Sequence, residues 1–255
     1  MFDFFPPVEA VQLKGAPLVH VIAQVKFNSQ TALSTQAGAL RVQESLADEY
    51  PRLLAAPPRP TITLGPGNVS TQLVEQWQLT DLEGQRSLVI GQDQISIETS
   101  VYTVWPELRK RIVAGLDALA DVTKPRVQER IGLRYINQIP RSDAGGFADR
   151  IASEFLGIND LPGWRDHLMA ALSQTVATHD STQLTLRYGS GAGVQGLDQD
   201  AFLIDIDMAD ESPKGFDQAR VVETFDALND VSLRCFMSTL ATPYRATLQG
   251  EKGGA

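Results

Sequence analysis

The fourteen residues from Arg126 to Ile139 alternate side chains with a period of two until Pro140 ends the run. Val127, Ile131, Leu133, Tyr135 and Ile139 fall on one side, and Arg126, Arg130 and Arg134 on the other. A period of two over this length is a strand with one buried face, so the chain must build a sheet around it. Arg130 and Arg134 then stand roughly 13 Å apart at their roots, with Gly132 between them as a gap where a ligand or another backbone can approach.

The rest of the chain supplies partners for that strand. Leu18 to Phe27 also alternates, with Val19, Val21, Ala23, Val25 and Phe27 opposed to His20, Gln24 and Lys26. Thr35 to Tyr50 carries Leu40, Val42 and Leu46 at helical spacing and is stopped by Pro51. Ala55 to Gly67 is dense in Pro and Gly and reads as a loop. Short strands are expected at Glu75 to Asp81, Arg86 to Ile90 and Gln94 to Thr99. A helix follows from Pro106 to about Asp121, burying Leu108, Ile112, Leu116 and Leu119 and exposing Glu107, Arg109, Lys110 and Arg111. After the long strand come a short helix near Gly146 to Phe155 and strands near Ala170 to Ala177, Thr182 to Tyr188 and Ala201 to Met208. A long helix from Asp217 to Leu240 ends the series.

These elements predict an α+β fold, with antiparallel sheets packed on long helices. The order strand, helix, three strands, helix occurs twice, offset by roughly 110 residues, which suggests two similar halves. They span residues 1–124 and 125–249 within one compact unit, and residues 250–255 read as a frayed tail.

Composition narrows the function classes. Twenty-two Lys and Arg against 31 Asp and Glu give a net charge of -9, which argues against nucleic acid and anionic membranes as partners. No apolar run approaches the roughly 20 residues of a membrane helix, and the opening residues lack the features of a signal peptide. A cytoplasmic location is the expectation. Cys235 is the single cysteine and His20, His167 and His179 are scattered, so the sequence calls for no metal and no cofactor. Cys235 beside Phe236 reads as a core residue.

The segment Arg130-Ile131-Gly132-Leu133-Arg134-Tyr135-Ile136-Asn137 resembles the hallmark of a sporadically distributed family of bacterial proteins without assigned activity. Ala16-Pro17-Leu18-Val19 is similar to that family's entry into its first strand, and Leu203-Ile204-Asp205-Ile206-Asp207 to a later one. The resemblance spans most of the chain. It implies an accessory gene, such as a component of defence or of a toxin–antitoxin pair, and implies no chemistry.

The candidate binding residues are Arg130, Arg134, Tyr135, Asn137, Asp205 and Asp207, with no catalytic residue assigned. Asp205 and Asp207 share a strand face about 7 Å apart, so something positive belongs between them. Two readings follow. Arg130 and Arg134 bind an external anion or carboxylate, or they pair with Asp205 and Asp207 inside the sheet. The leading expectation is a non-catalytic binding or regulatory protein recognising a partner protein, a second copy of itself or a small anionic ligand. Phe2, Phe4 and Phe5, set before Pro6-Pro7, must be buried somewhere: they cap this protein's own sheet or dock on another chain, and docking on that partner is the reading taken. The alternative is an Mg²⁺-dependent nucleotide-processing enzyme. It would use Asp205 and Asp207 after the Tyr188-Gly189-Ser190-Gly191 turn and the Asp198-Gln199-Asp200 run.

Overall fold

The computed structural model describes residues 1–9, 13, 15–65, 68–142, 145–161, 163, 164, 167–191 and 201–250, without side-chain placement for 60–72. The Asp198-Gln199-Asp200 run and residues 251–255 of the expected tail lie outside the described residues. Among the described residues, one antiparallel sheet of ten strands carries five α-helices.

The two strands with the clearest alternation form the centre. β1 (Leu18–Phe27) pairs with β6 (Val127–Pro140) on one side and with β5 (Gln94–Thr99) on the other. Outward from β5 come β4 (Arg86–Gly91), β3 (Asn68–Thr80) and β2 (Arg52–Gly65). Outward from β6 come β9 (Ala201–Asp210), β8 (Thr182–Gly191) and β7 (Ala170–His179). The two-residue β10 (Lys214–Gly215) adds to the start of β6. The full order is β2-β3-β4-β5-β1-β6-β9-β8-β7.

One face of this sheet is covered by helices. Val21, Ala23, Val25 and Phe27 of β1 have no solvent exposure, and they stand in register with Leu133, Ile131 and their neighbours on β6. α2 (Trp105–Val122) lies on β5, α4 (Gln218–Thr239) lies on β6 and β9 and beside α2, and α1 (Gln36–Glu44) packs against α2. Gly115 allows the close seat of α2. A β-carbon there would stand 3.0 Å from the Leu88 methyl and 3.5 Å from Ile97. Helix starts follow the sequence: Thr35 accepts from the Gly38 amide to cap α1, and Asp217 accepts from the Arg220 amide to cap α4. α3 (Ser153–Leu156) and α5 (Thr242–Gln249) are short. No helix among the described residues is long and apolar enough to cross a membrane.

Four expectations are corrected. Ala55 to Gly65 of the expected loop is most of β2, and residues 66 and 67 lie outside the described residues. β2 is the edge strand, where a proline removes no ladder hydrogen bond from a second neighbour, and a bulge between Ala56 and Arg59 takes up Pro57 and Pro58. The first half therefore has four strands between its helices rather than three. The helix expected at Gly146 to Phe155 shrinks to α3, because Ile151 instead bridges to Leu240 in extended form. Arg111 is not exposed: it is 4% accessible and its Nε lies 3.3 Å from Glu107. Finally, Phe2 and Phe5 do not project for docking. They are buried in this chain's own core, and Arg234 donates to the Phe5 and Met1 carbonyls, leaving Phe4 exposed.

Candidate functional site

The long strand β6 splits the candidate residues between the two faces of the sheet. Arg130 and Arg134 point to the helix-free face, and Tyr135 and Asn137 to the helix-covered face. Asp205 and Asp207 on β9 stand in register with Ile136 and Arg134, on the same face as the arginines.

On that face the charges satisfy one another. Arg134 donates from Nε and Nη2 to the two oxygens of Asp205, each at 2.7 Å. Arg187 on β8 donates to the same carboxylate at 3.1 Å and to Gln174 on β7 at 2.8 Å. Asp205 is 3% accessible, so two guanidiniums replace the water it has lost. The hydrogen bonds from Arg134 to Asp205 raise the guanidinium pKa, with burial opposing. Arg130 reaches Asp207 at 3.5 Å, Glu211 at 3.6 Å and the side-chain Oε1 of Gln24 at 3.1 Å. Gly132 leaves no vacancy for a ligand. A β-carbon there would meet the Arg130 guanidinium at 2.2 Å, so the arginine lies folded over the glycine. His20 stands 3.6 Å from Glu98 farther along the same face.

This donor set suits ion pairing, not metal ligation. Both Asp205 oxygens are taken by guanidiniums, and among the described residues no group of three or more His, Cys, Asp or Glu side chains converges to hold a metal. Ser190 is structural: its hydroxyl donates to Asn159 at 2.6 Å, and the pair is buried. Cys235 is buried, and burial pushes its thiol up to about 12, away from a reactive thiolate.

The helix-covered face holds a cavity of about 660 Å³. β6 contributes Tyr135 and Asn137, and α4 contributes Asn229, Ser232, Leu233 and Phe236. The connection from β5 and the first turn of α2 add Tyr102, Thr103, Val104 and Trp105. The Tyr135 hydroxyl donates to Asn229 Oδ1 at 2.7 Å, and its ring meets Tyr102 edge-on with centroids 5.9 Å apart. Burial raises the Tyr135 phenol well above its ordinary value, and the adjacent Tyr102 adds to the shift, so the phenol remains a donor. Asn137, 4% accessible, donates from Nδ2 to the Ile204 carbonyl at 3.2 Å. Trp105 is fixed along the wall by a 2.8 Å bond from its indole nitrogen to Asp226, which also accepts from Arg109.

Thus Tyr135 and Asn137 meet at the cavity, while Arg130, Arg134, Asp205 and Asp207 meet on the opposite side of the same strands. Sequence reasoning missed Tyr102, Trp105, Asn229 and Ser232. The last two did leave a signal: Asn229 and Ser232 are polar positions inside the buried stripe formed by Phe225, Leu228 and Phe236. No family model matches the chain, and no curated protein matches it.

Proposed function

We propose that this chain is a non-catalytic binding protein whose ligand is a small molecule held in the cavity between β6, α2 and α4. The observation that carries the reading is the convergence of Tyr135, Asn137, Asn229 and Ser232 into an otherwise mainly apolar pocket of about 660 Å³. A few fixed polar groups in an apolar enclosure are the general form of a ligand site. Arg130 and Arg134 already face Asp207 and Asp205 of the same sheet, which favours the cavity over the helix-free face as the ligand site. The Mg²⁺-dependent alternative draws no support from Asp205, whose oxygens are held by two arginines.

The halves 1–124 and 125–249 are read here as a duplication. Outward from the β1–β6 seam the order runs β5-β4-β3 on one side and β9-β8-β7 on the other, which favours that reading. Membership of the sporadic bacterial family, with a role in an accessory system and a partner protein or second copy as its context, is compatible with a sensor that responds to a bound molecule.

Native mass spectrometry of the protein purified from its own host tests the proposal against Leu233→Trp, which fills the cavity. A small-molecule adduct on the parent and none on the variant is the expected result. An adduct equally abundant on both, or on neither, refutes the reading.

A further inference from the structure

An asparagine amide has one oxygen acceptor and two N–H donors, so the bonds already made define what remains. A carbonyl can only accept. The bond to the Ile204 carbonyl therefore fixes Asn137 with Nδ2 toward β9 and Oδ1 turned away, and no protein group among the described residues uses that Oδ1. Asn229 uses Oδ1 to accept from Tyr135, leaving its Nδ2 without a protein partner among the described residues. Both residues line the cavity. Tyr135, two positions before Asn137 on the same strand face, stands between them and is pinned by Asn229 and Tyr102.

The cavity is thus lined by two amides, each with one polar atom unused by a described group, on rigid elements beside the aromatic walls of Tyr102, Trp105 and Phe236.

We propose that the cavity selects a flat molecule with an amide-type edge, such as a ring lactam, a ring carboxamide or a nucleobase. Its N–H donates to Asn137 Oδ1, its carbonyl accepts from Asn229 Nδ2, and its ring lies on the aromatic walls. This rests on the cavity being the ligand site.

The test uses three probes and the indole ¹⁵N–H signal of Trp105 in the full chain. Nicotinamide carries the amide edge, nicotinate replaces it with a charge on the same ring, and toluene has neither. Nicotinamide is expected to shift the Trp105 signal in a saturable manner, and nicotinate is not. Asn229→Asp keeps the acceptor for Tyr135 but removes the free donor, and is expected to weaken nicotinamide by at least about fivefold. Toluene still shifting Trp105 in that variant shows that the cavity persists. Nicotinate binding as well as nicotinamide, unchanged nicotinamide affinity in Asn229→Asp, or a response to toluene alone would each overturn the ligand class while leaving the cavity as a binding site. No response to any probe would overturn the class and the ligand-site reading together.

Discussion

Arg134 closes on Asp205 through two hydrogen bonds of 2.7 Å each, joining the central strand β6 to β9 on the helix-free face. Asp205→Ala removes the carboxylate that holds the Arg134 and Arg187 guanidiniums together, and is expected to cost more than Arg134→Ala, which still leaves Arg187 on the carboxylate. The two substitutions should couple by roughly 0.5–3 kcal/mol in urea unfolding. Strict additivity would mean that the pair contributes nothing as a pair.

Gly132→Ala is expected to destabilise through Arg130. The new methyl must push the guanidinium off Gly132 and away from Gln24, Asp207 and Glu211. A loss of about 1–2 kcal/mol is expected, within the ordinary range for a disturbed hydrogen-bonded network. In an Arg130→Ala background the same substitution should cost much less, because nothing is left to displace. An equal loss in both backgrounds would assign the effect to the backbone instead.

How much of this was legible in the residues depends on the neighbours each one needed. Alternation found β1, β6 and β9 nearly to their ends, because one apolar face and one polar face leave a mark every second residue. β2 left the opposite mark: Pro57, Pro58 and Pro60 signal a loop unless the strand is known to lie at an edge, and edge position is a property of the whole sheet. The acid–base pairing of Arg134 with Asp205 was open to reasoning from strand faces alone. The cavity was not, since it exists only where Asn229 of α4 meets Tyr135 of β6, 94 residues away. Arg111 was misplaced because helical spacing identifies a stripe but not the second helix that covers its flank.

Gln128 predicts a gain. Its side chain is buried at 1% accessibility with neither the nitrogen nor the oxygen hydrogen-bonded among the described residues. Gln128→Met keeps the approximate shape and removes the unpaired amide. It should be neutral or stabilising by up to about 2 kcal/mol in thermal or urea unfolding. A clear destabilisation would show that the amide has a role in the fold.

Alkaline pH should unfold the protein through buried acids. Burial pushes Tyr50 up to about 12 from 10.0, with Glu49 adding to it, and lifts the Cys235 thiol to about 12 from 9.0. A folded-state pKa above the unfolded one gives stability that is complete below the unfolded value and lost as pH rises toward the folded value. Loss should therefore begin near pH 9 through Cys235, steepen above pH 10, and reach roughly 2–3 kcal/mol for Tyr50 alone by pH 12. Tyr50→Phe should flatten the urea midpoint between pH 10 and 12 relative to the parent. Parallel curves would remove Tyr50 from the account.

Removing residues 1–7 should destabilise the chain that carries them. Phe2 and Phe5 are 3% and 9% accessible, and burial of such a ring is worth about 1.5–3 kcal/mol. The melting temperature should fall by the same amount in dilute and in concentrated samples, because the surface they cover belongs to the same molecule. A fall seen only at high concentration would restore these residues to an intermolecular role.

The place of β1 in the sheet has a consequence for how the protein is made. Both its neighbours are synthesised after it: β5 (Gln94–Thr99) first, and β6 only once residues 127–140 have been made. A nascent chain that pairs β1 with β5 before then would hold a five-stranded sheet in which β1 has one bare edge, an arrangement prone to pairing with another chain. The arrival of Val127–Pro140 closes that edge. A pause in translation just before it would leave the protein at its most adhesive, so production of this protein should be sensitive to the speed at which one short stretch of its message is read.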